Sequence, residues 1–231
     1  MTFELFTIQE REFVALSRAT TDEKKLLKKW KSQTNLESET RDLPEDGRRL
    51  SVIMLTDIVG YTALVQSDEK LSLEILDQHN KLLRSFISKY RGVEIKTMGD
   101  SFLVEFSNAL DATLCAVEIQ KFLHECNGPN SKKREPKVKL RIGLHLGDVV
   151  HKQGDVFGDA VNIASRILPL ANPEGICMSR QVFDQVHNKI DYSLERLEKA
   201  ELKNVSFPTD VYKVIMPWES RPHREEEHSP D

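Results

Sequence analysis

The chemistry starts at two aspartates. Asp57 closes the apolar run SVIMLTDI (Ser51–Ile58), where a charged side chain leaves the core and meets the Gly-containing turn IVGYT. Asp100 stands at the tip of the next expected hairpin, in KTMGDS. Two carboxylates at strand ends of one small sheet can share hard divalent cations, because Mg²⁺ takes a few carboxylates and completes its shell with phosphate oxygens and water. Between them, the turn Ile58, Val59, Gly60, Tyr61 offers backbone N–H groups beside a helix start, a natural phosphate cradle. Taken singly, either Asp reads as a turn or cap residue. The case rests on the combination.

A second constellation is DVFGDAVNIASR, Asp155–Arg166. Asn162 and Arg166 are four apart, hence on one face of one helix. A guanidinium and an amide pointing together suit a phosphate whose charge grows in a transition state. Spacing alone equally fits a solvated helix face, and a single strand lysine such as Lys96 is ordinarily a snorkelling side chain.

The elements that must position these groups follow from periodicity. Ser51–Ile58 reads as a buried strand, and 68–90 as a helix whose buried stripe is Leu76, Leu83, Phe86, Ile87 and Tyr90, closed by Gly92. VEIKTM and SFLVEF flank Gly99–Asp100 as a hairpin. A second amphipathic helix spans 109–125 through Ala112, Ala116, Ile119 and Leu123, and 127–136 is a loop. VKLRIGLHLG (138–147) is a strand with DVVHK (148–152) as a short one turning back. A helix runs from about Gly158–Asp159 to Leu168, and strands are expected at 175–179, 192–197 and 209–215. The order β-α-β-β-α-β followed by further pieces predicts an α+β chain, a ferredoxin-like split βαβ sandwich with additional strands and helices.

The segments TDIVGYT, VEIKTMGDSFLVEF, RIGLHLGDVV and DVFGDAVNIASR, in this order, resemble the successive signatures of the class III adenylate/guanylate cyclase domain. The resemblance covers roughly residues 50–215, and EGICMS and the ELKN…VYKV ending resemble bacterial members. It implies the class III nucleotidyl cyclase fold and conversion of ATP to 3′,5′-cyclic AMP and pyrophosphate. Carried over by position, metal binding falls on Asp57, Ile58 and Asp100, for two Mg²⁺ or Mn²⁺ per active site. Base reading falls on Lys96 and Asp155, and the transition-state groups are Asn162 and Arg166. Lys203, in ELKN, matches a further lysine that holds the terminal phosphates, in a less fixed part of the pattern. Tyr61 replaces the Phe of many relatives. The family forms head-to-tail homodimers with two shared active sites, which implies a homodimer here. Guanylate cyclases usually carry residues such as Glu and Cys in place of the Lys/Asp pair, so ATP is the expected substrate. The alternatives are GTP or a pyrimidine triphosphate on the same fold, or a non-catalytic nucleotide-binding or dimerisation module.

Bulk properties agree with such a domain. The 231 residues carry a net charge of −4, which gives no reason to expect nucleic acid as a partner. A ferredoxin-like RNA binder would need a basic face, which is not present. Cys115, Cys126 and Cys177 show no Cys-x-x-Cys pairing and read as buried thiols in a reducing compartment. There is no secretory signal pattern and no run of about 20 apolar residues, so a cytoplasmic protein without membrane association is expected. Three regions are expected: a polar extension (1–47), the catalytic domain (48–218) and a disordered tail (219–231). In the extension, DEKKLLKKWKSQ is expected to be a solvated helix packing Leu26, Leu27 and Trp30; membrane-surface or partner binding is the alternative.

Overall fold

The computed structural model describes residues 47–128, 137–198 and 210–219. Lys203, the basic stretch Asp22–Gln33 and most of the expected tail lie outside them.

Strand β1 (Gly47–Ile58) is followed by helices α1 (Tyr61–Ser67) and α2 (Glu69–Lys89). The hairpin β2 (Val93–Met98) and β3 (Ser101–Phe106) leads to α3 (Ala109–Cys126), β4 (Leu140–Lys152), β5 (Asp155–Phe157) and α4 (Asp159–Ile167). A 3₁₀ turn (Leu168–Leu170), β6 (Ile176–Ser179), α5 (Arg180–Val186), β7 (Leu194–Arg196) and β8 (Val211–Val214) complete it. The strands form one open sheet, β2-β3-β1-β4-β6-β8-β7, with β5 paired to β4. Each neighbouring pair in the order β2-β3-β1-β4 is antiparallel, which is the split βαβ arrangement.

Local chemistry explains the boundaries. Asp68 adopts an extended conformation that ends α1, and its carboxylate accepts a 3.0 Å bond from the Leu71 N–H to start α2. The expected single helix from 68 is therefore preceded by a separate short one. Asn108 caps α3 in the same way, accepting from Asp111 N–H at 2.8 Å. The two strands expected at 138–147 and 148–152 are one continuous strand, since every residue from Leu140 to His151 stays in register with β1. A twelve-pair ladder leaves no place for a turn; the reversal comes at Gln153–Gly154, where both φ angles are positive (53° and 74°).

Alternation then sorts the side chains. Val52, Met54, Phe102, Val104, Ile142 and Leu144 meet Leu83, Phe86, Ile87, Ala112, Ala116 and Ile119 of α2 and α3 in the main core. The opposite face carries Ile53, Leu55, Leu103 and Val149, covered by Ala160 and Ala164 of α4. That helix lies very close. A Cβ at Gly143 would fall 2.8 Å from the Leu168 backbone, so glycine there lets the end of α4 sit on β4. Cys115 and Cys177 are buried free thiols, and burial pushes the Cys177 thiol up to about 12. Among the described residues no helix is long and apolar enough to cross a membrane.

Two buried histidines set an acid limit on stability. His79 on α2 and His145 on β4 are 4% and 3% exposed, and burial lowers each to about 4. Above the ordinary histidine range both are neutral whether folded or not. As pH falls from about 6.5 toward 4 the unfolded chain takes up protons that the folded chain refuses, so stability is lost across that window. At 1.36 kcal/mol per pH unit, each costs about 3 kcal/mol. The His79→Leu protein is expected to lose less stability between pH 7 and 4.5 than wild type in urea titrations; identical losses would remove His79 from this role.

Candidate active site

The β1–β4 ladder ends where the acids gather. Asp57 pairs in register with Arg141 and Ile58 with Leu140. Asp100, at the β2–β3 turn, reaches back so that its Oδ2 accepts a 2.9 Å bond from Ile58 N–H. Burial raises the Asp100 carboxyl above its ordinary range, against the Ile58 N–H, and the neighbouring Asp57 carboxylate pushes the same way. Two carboxylates in mutual repulsion are a donor set that a divalent cation stabilises, and with so few protein ligands the cation would lean on phosphate oxygens and water. Among the described residues no three His, Cys, Asp or Glu side chains cluster for a metal.

Arg141 was not singled out from the sequence, and the fold places it at the centre. Its Nη2 donates to Asp57 Oδ2 across a sequence separation of 84 residues, while its buried Nε has no hydrogen-bond partner among the described residues. An unpaired guanidinium N–H beside the Asp57 carboxylate fits an anion such as a phosphate. The available signal was its charge inside RIGLHLG, an otherwise apolar strand. The turn after Ile58 is narrower as a cradle than its sequence implies. Ile58 N–H is committed to Asp100 and Val59 N–H donates to Lys139 O at 2.8 Å. The amides of Gly60 and Tyr61, at the head of α1, are the ones left at its mouth; Gly60 takes φ 78°, which a side chain would resist.

A second pair forms elsewhere. Lys96 Nζ donates to Asp155 Oδ2 at 2.6 Å, joining β2 to β5 across 59 residues. Lys96 holds the Asp155 carboxyl below its usual range, helped by the Val156 N–H on Oδ1 at 2.8 Å. Lys96 and Asp100, four apart in sequence, thus engage different partners. Asn162 and Arg166 lie on α4, one turn apart; Asn162 is exposed and Arg166 half-buried. Lys203 is outside the described residues.

Comparison with known proteins places this arrangement. Residues 48–215 match the adenylate and guanylate cyclase catalytic domain. The chain belongs to that family. A candidate adenylate cyclase, number 3, of Rhizobium meliloti (strain 1021) is 34% identical over 166 residues, covering 71% of this chain and 28% of that protein. The receptor-type guanylate cyclase gcy-23 of Caenorhabditis elegans is 28% identical over 162 residues, covering 62% of this chain and 15% of that protein. The crystal structure of an adenylate/guanylate cyclase/hydrolase from Silicibacter pomeroyi superposes with a TM-score of 0.68 at 31% identity, covering 74% of this chain and 99% of that one. The chain therefore spans about a quarter or less of the length of these curated relatives. Cyclase domains of this family work with divalent metal ions, which agrees with the two-carboxylate site.

Proposed function

We propose that this cyclase domain converts ATP to 3′,5′-cyclic AMP and pyrophosphate. The observation that carries the choice of ATP is the preformed Lys96–Asp155 pair, a cationic donor and an ionised acceptor held 2.6 Å apart. Opened onto a base, Lys96 donates to adenine N1 and Asp155 accepts from the 6-amino group.

Asp57, Asp100 and the Ile58 main chain would hold two Mg²⁺ or Mn²⁺ ions, which when bound would supply neutralisation of the triphosphate and acidification of the ribose 3′-OH. Arg141, held against Asp57 with its Nε unpaired, would donate to the phosphates of the bound nucleotide. The Gly60 and Tyr61 amides and Lys203 hold the rest of the triphosphate. Asn162 orients the ribose so that its 3′-oxygen stands in line with the α-phosphorus. As that bond forms and the bond to the β-phosphate breaks, Arg166 donates to the α-phosphate oxygens where negative charge accumulates. The 3′-OH proton leaves to solvent and pyrophosphate departs. The protein contributes positioning and charge, with no covalent intermediate.

The site is shared across a C2 homodimer. Asp57 and Asp100 of one chain face Lys96, Asp155, Asn162 and Arg166 of the other, and the symmetry yields two equivalent sites. Lys96 engages Asp155 while Asp100 engages the Ile58 N–H, and this separation within one chain supports the reading.

Purified protein offered each of the four nucleoside triphosphates with Mg²⁺ or Mn²⁺, with chromatographic identification of products, tests the reading. Guanine places a donor at N1 and an acceptor at O6, so it sets like against like at both contacts. Each mispaired buried group costs about 1–3 kcal/mol, which puts ATP ahead of GTP by at least about a hundredfold in kcat/KM. Lys96→Glu with Asp155→Cys is expected to erode that ratio more than metal affinity. Faster production of cyclic GMP or a cyclic pyrimidine nucleotide by the wild type would overturn the base assignment.

A further inference from the structure

Lys96 and Asp155 belong to strands that a flat sheet would keep apart. β2 lies outside β3, β5 pairs with the far end of β4 beyond β6, and β1 runs between β3 and β4. Four inter-strand spacings separate the carriers, roughly 19 Å. Their charged atoms are nonetheless 2.6 Å apart, so the sheet curls. It curls toward the α4 face, because Ile95 of β2 and Val156 of β5 join Ile53, Leu55, Leu103 and Val149 in one apolar cluster under Ala160 and Ala164. A register break between Glu94 and Lys96 gives β2 its bend.

On that same face sits a buried polar set that the proposed chemistry does not use. The Glu105 side chain of β3 is only 3% exposed. It accepts two bonds from Arg49 of β1, at 2.9 and 2.6 Å, and lies 3.1 Å from Nε2 of His151 of β4, whose side chain is 4% exposed. Burial alone would raise the Glu105 carboxyl, but Arg49, Ser51 and His151 together take it below its usual range. The three residues come from the three strands that separate β2 from β5. His151 is also paired in register with Val156, the residue after Asp155, and Glu105 with Val93 of β2. Buried ion pairs seldom stabilise a fold more than apolar packing would, and fixing one arrangement among several is their best-attested use.

We propose that Arg49, Glu105 and His151 are positioning residues for base selection. They set the curl that brings Lys96 to Asp155, and with it the spacing at which a donor and an acceptor meet the purine edge. This rests on the assignment of that pair to the base.

The test compares kcat and KM for ATP and GTP in wild type, Glu105→Gln, His151→Gln, Lys96→Ala and the Glu105→Gln/Lys96→Ala double variant, with thermal melts of each. Glu105→Gln keeps the shape and removes the charge. Its ATP-to-GTP ratio in kcat/KM is expected to fall at least about tenfold, through a higher KM for ATP with kcat within about threefold. His151→Gln, the milder change if Glu105→Gln melts too low to assay, is expected to shift the ratio the same way by about threefold. In the Lys96→Ala background, Glu105→Gln is expected to change the ratio by less than about twofold, because it acts through Lys96. Unchanged ratios in both Glu105→Gln and His151→Gln, or an equal further loss without Lys96, would overturn the proposal while leaving the base assignment standing. A wild type without ATP preference would overturn the assignment itself, and the proposal with it.

Discussion

Asp57→Ala and Asp100→Ala proteins are expected to lose at least about a thousandfold in kcat while remaining folded. Removing a carboxylate forfeits several kcal/mol of cation-borne stabilisation at the reacting phosphate, and 1.36 kcal/mol is a factor of ten. The fold tolerates the changes because neither side chain is in the core: Asp57 is half-buried beside Arg141, and Asp100 contributes one bond to Ile58 N–H, worth about 1 kcal/mol. Asp100→Asn sharpens the test. Its amide oxygen can still accept from Ile58 N–H, so only the charge is lost, and turnover is expected to fall nearly as far as with alanine. Turnover measured against Mg²⁺ and Mn²⁺ concentration, with melting curves alongside, decides it. Full activity in either alanine variant, with metal still required, removes that Asp from the mechanism.

The second large effect is a recovery. Asp57→Ala and Arg166→Ala proteins are each expected to be inactive alone and to regain activity when mixed. In a mixed dimer one shared site collects both defects and the other collects neither. With random subunit exchange half the dimers are mixed and each has one intact site, so about a quarter of wild-type activity returns. The readout is cyclic AMP formed after co-refolding or prolonged mixing, with exchange followed by a size or charge tag on one variant. Exchange without recovery would place all the catalytic groups in one chain.

What the sequence by itself determined is the chemistry that local order encodes. The apolar run into Asp57, the hairpin around Gly99–Asp100 and the four-residue spacing of Asn162 and Arg166 are all set within a dozen residues, where strand and helix periods act directly. The stripes of α2 and α3 were legible for the same reason: Leu83, Phe86, Ile87, Ala112, Ala116, Ile119 and Leu123 are buried, whereas Leu76 and Tyr90 are only partly so and Ile75, His79 and Leu82 complete the face. The helix expected from 68 begins there, with Asp68 as its cap, and only the short α1 before it went unmarked. One local error had a local cause: DVVHK continues β4 because pairing with β1 overrides the look of a turn at Gly147–Asp148.

The tertiary structure alone decided which distant groups meet. Arg141 reaches Asp57 across 84 residues, and Lys96 reaches Asp155 across 59. Neither contact follows from periodicity, since the first depends on the register of β1 against β4 and the second on the curl of several strands together. Glu105 shows the difference most plainly. Within SFLVEF it looks like an ordinary polar position on a strand, but the sheet bends over it and leaves it almost wholly buried against Arg49 and His151. A strand's alternation assigns a side chain to a face; the neighbouring strands decide whether that face meets water or closes on itself.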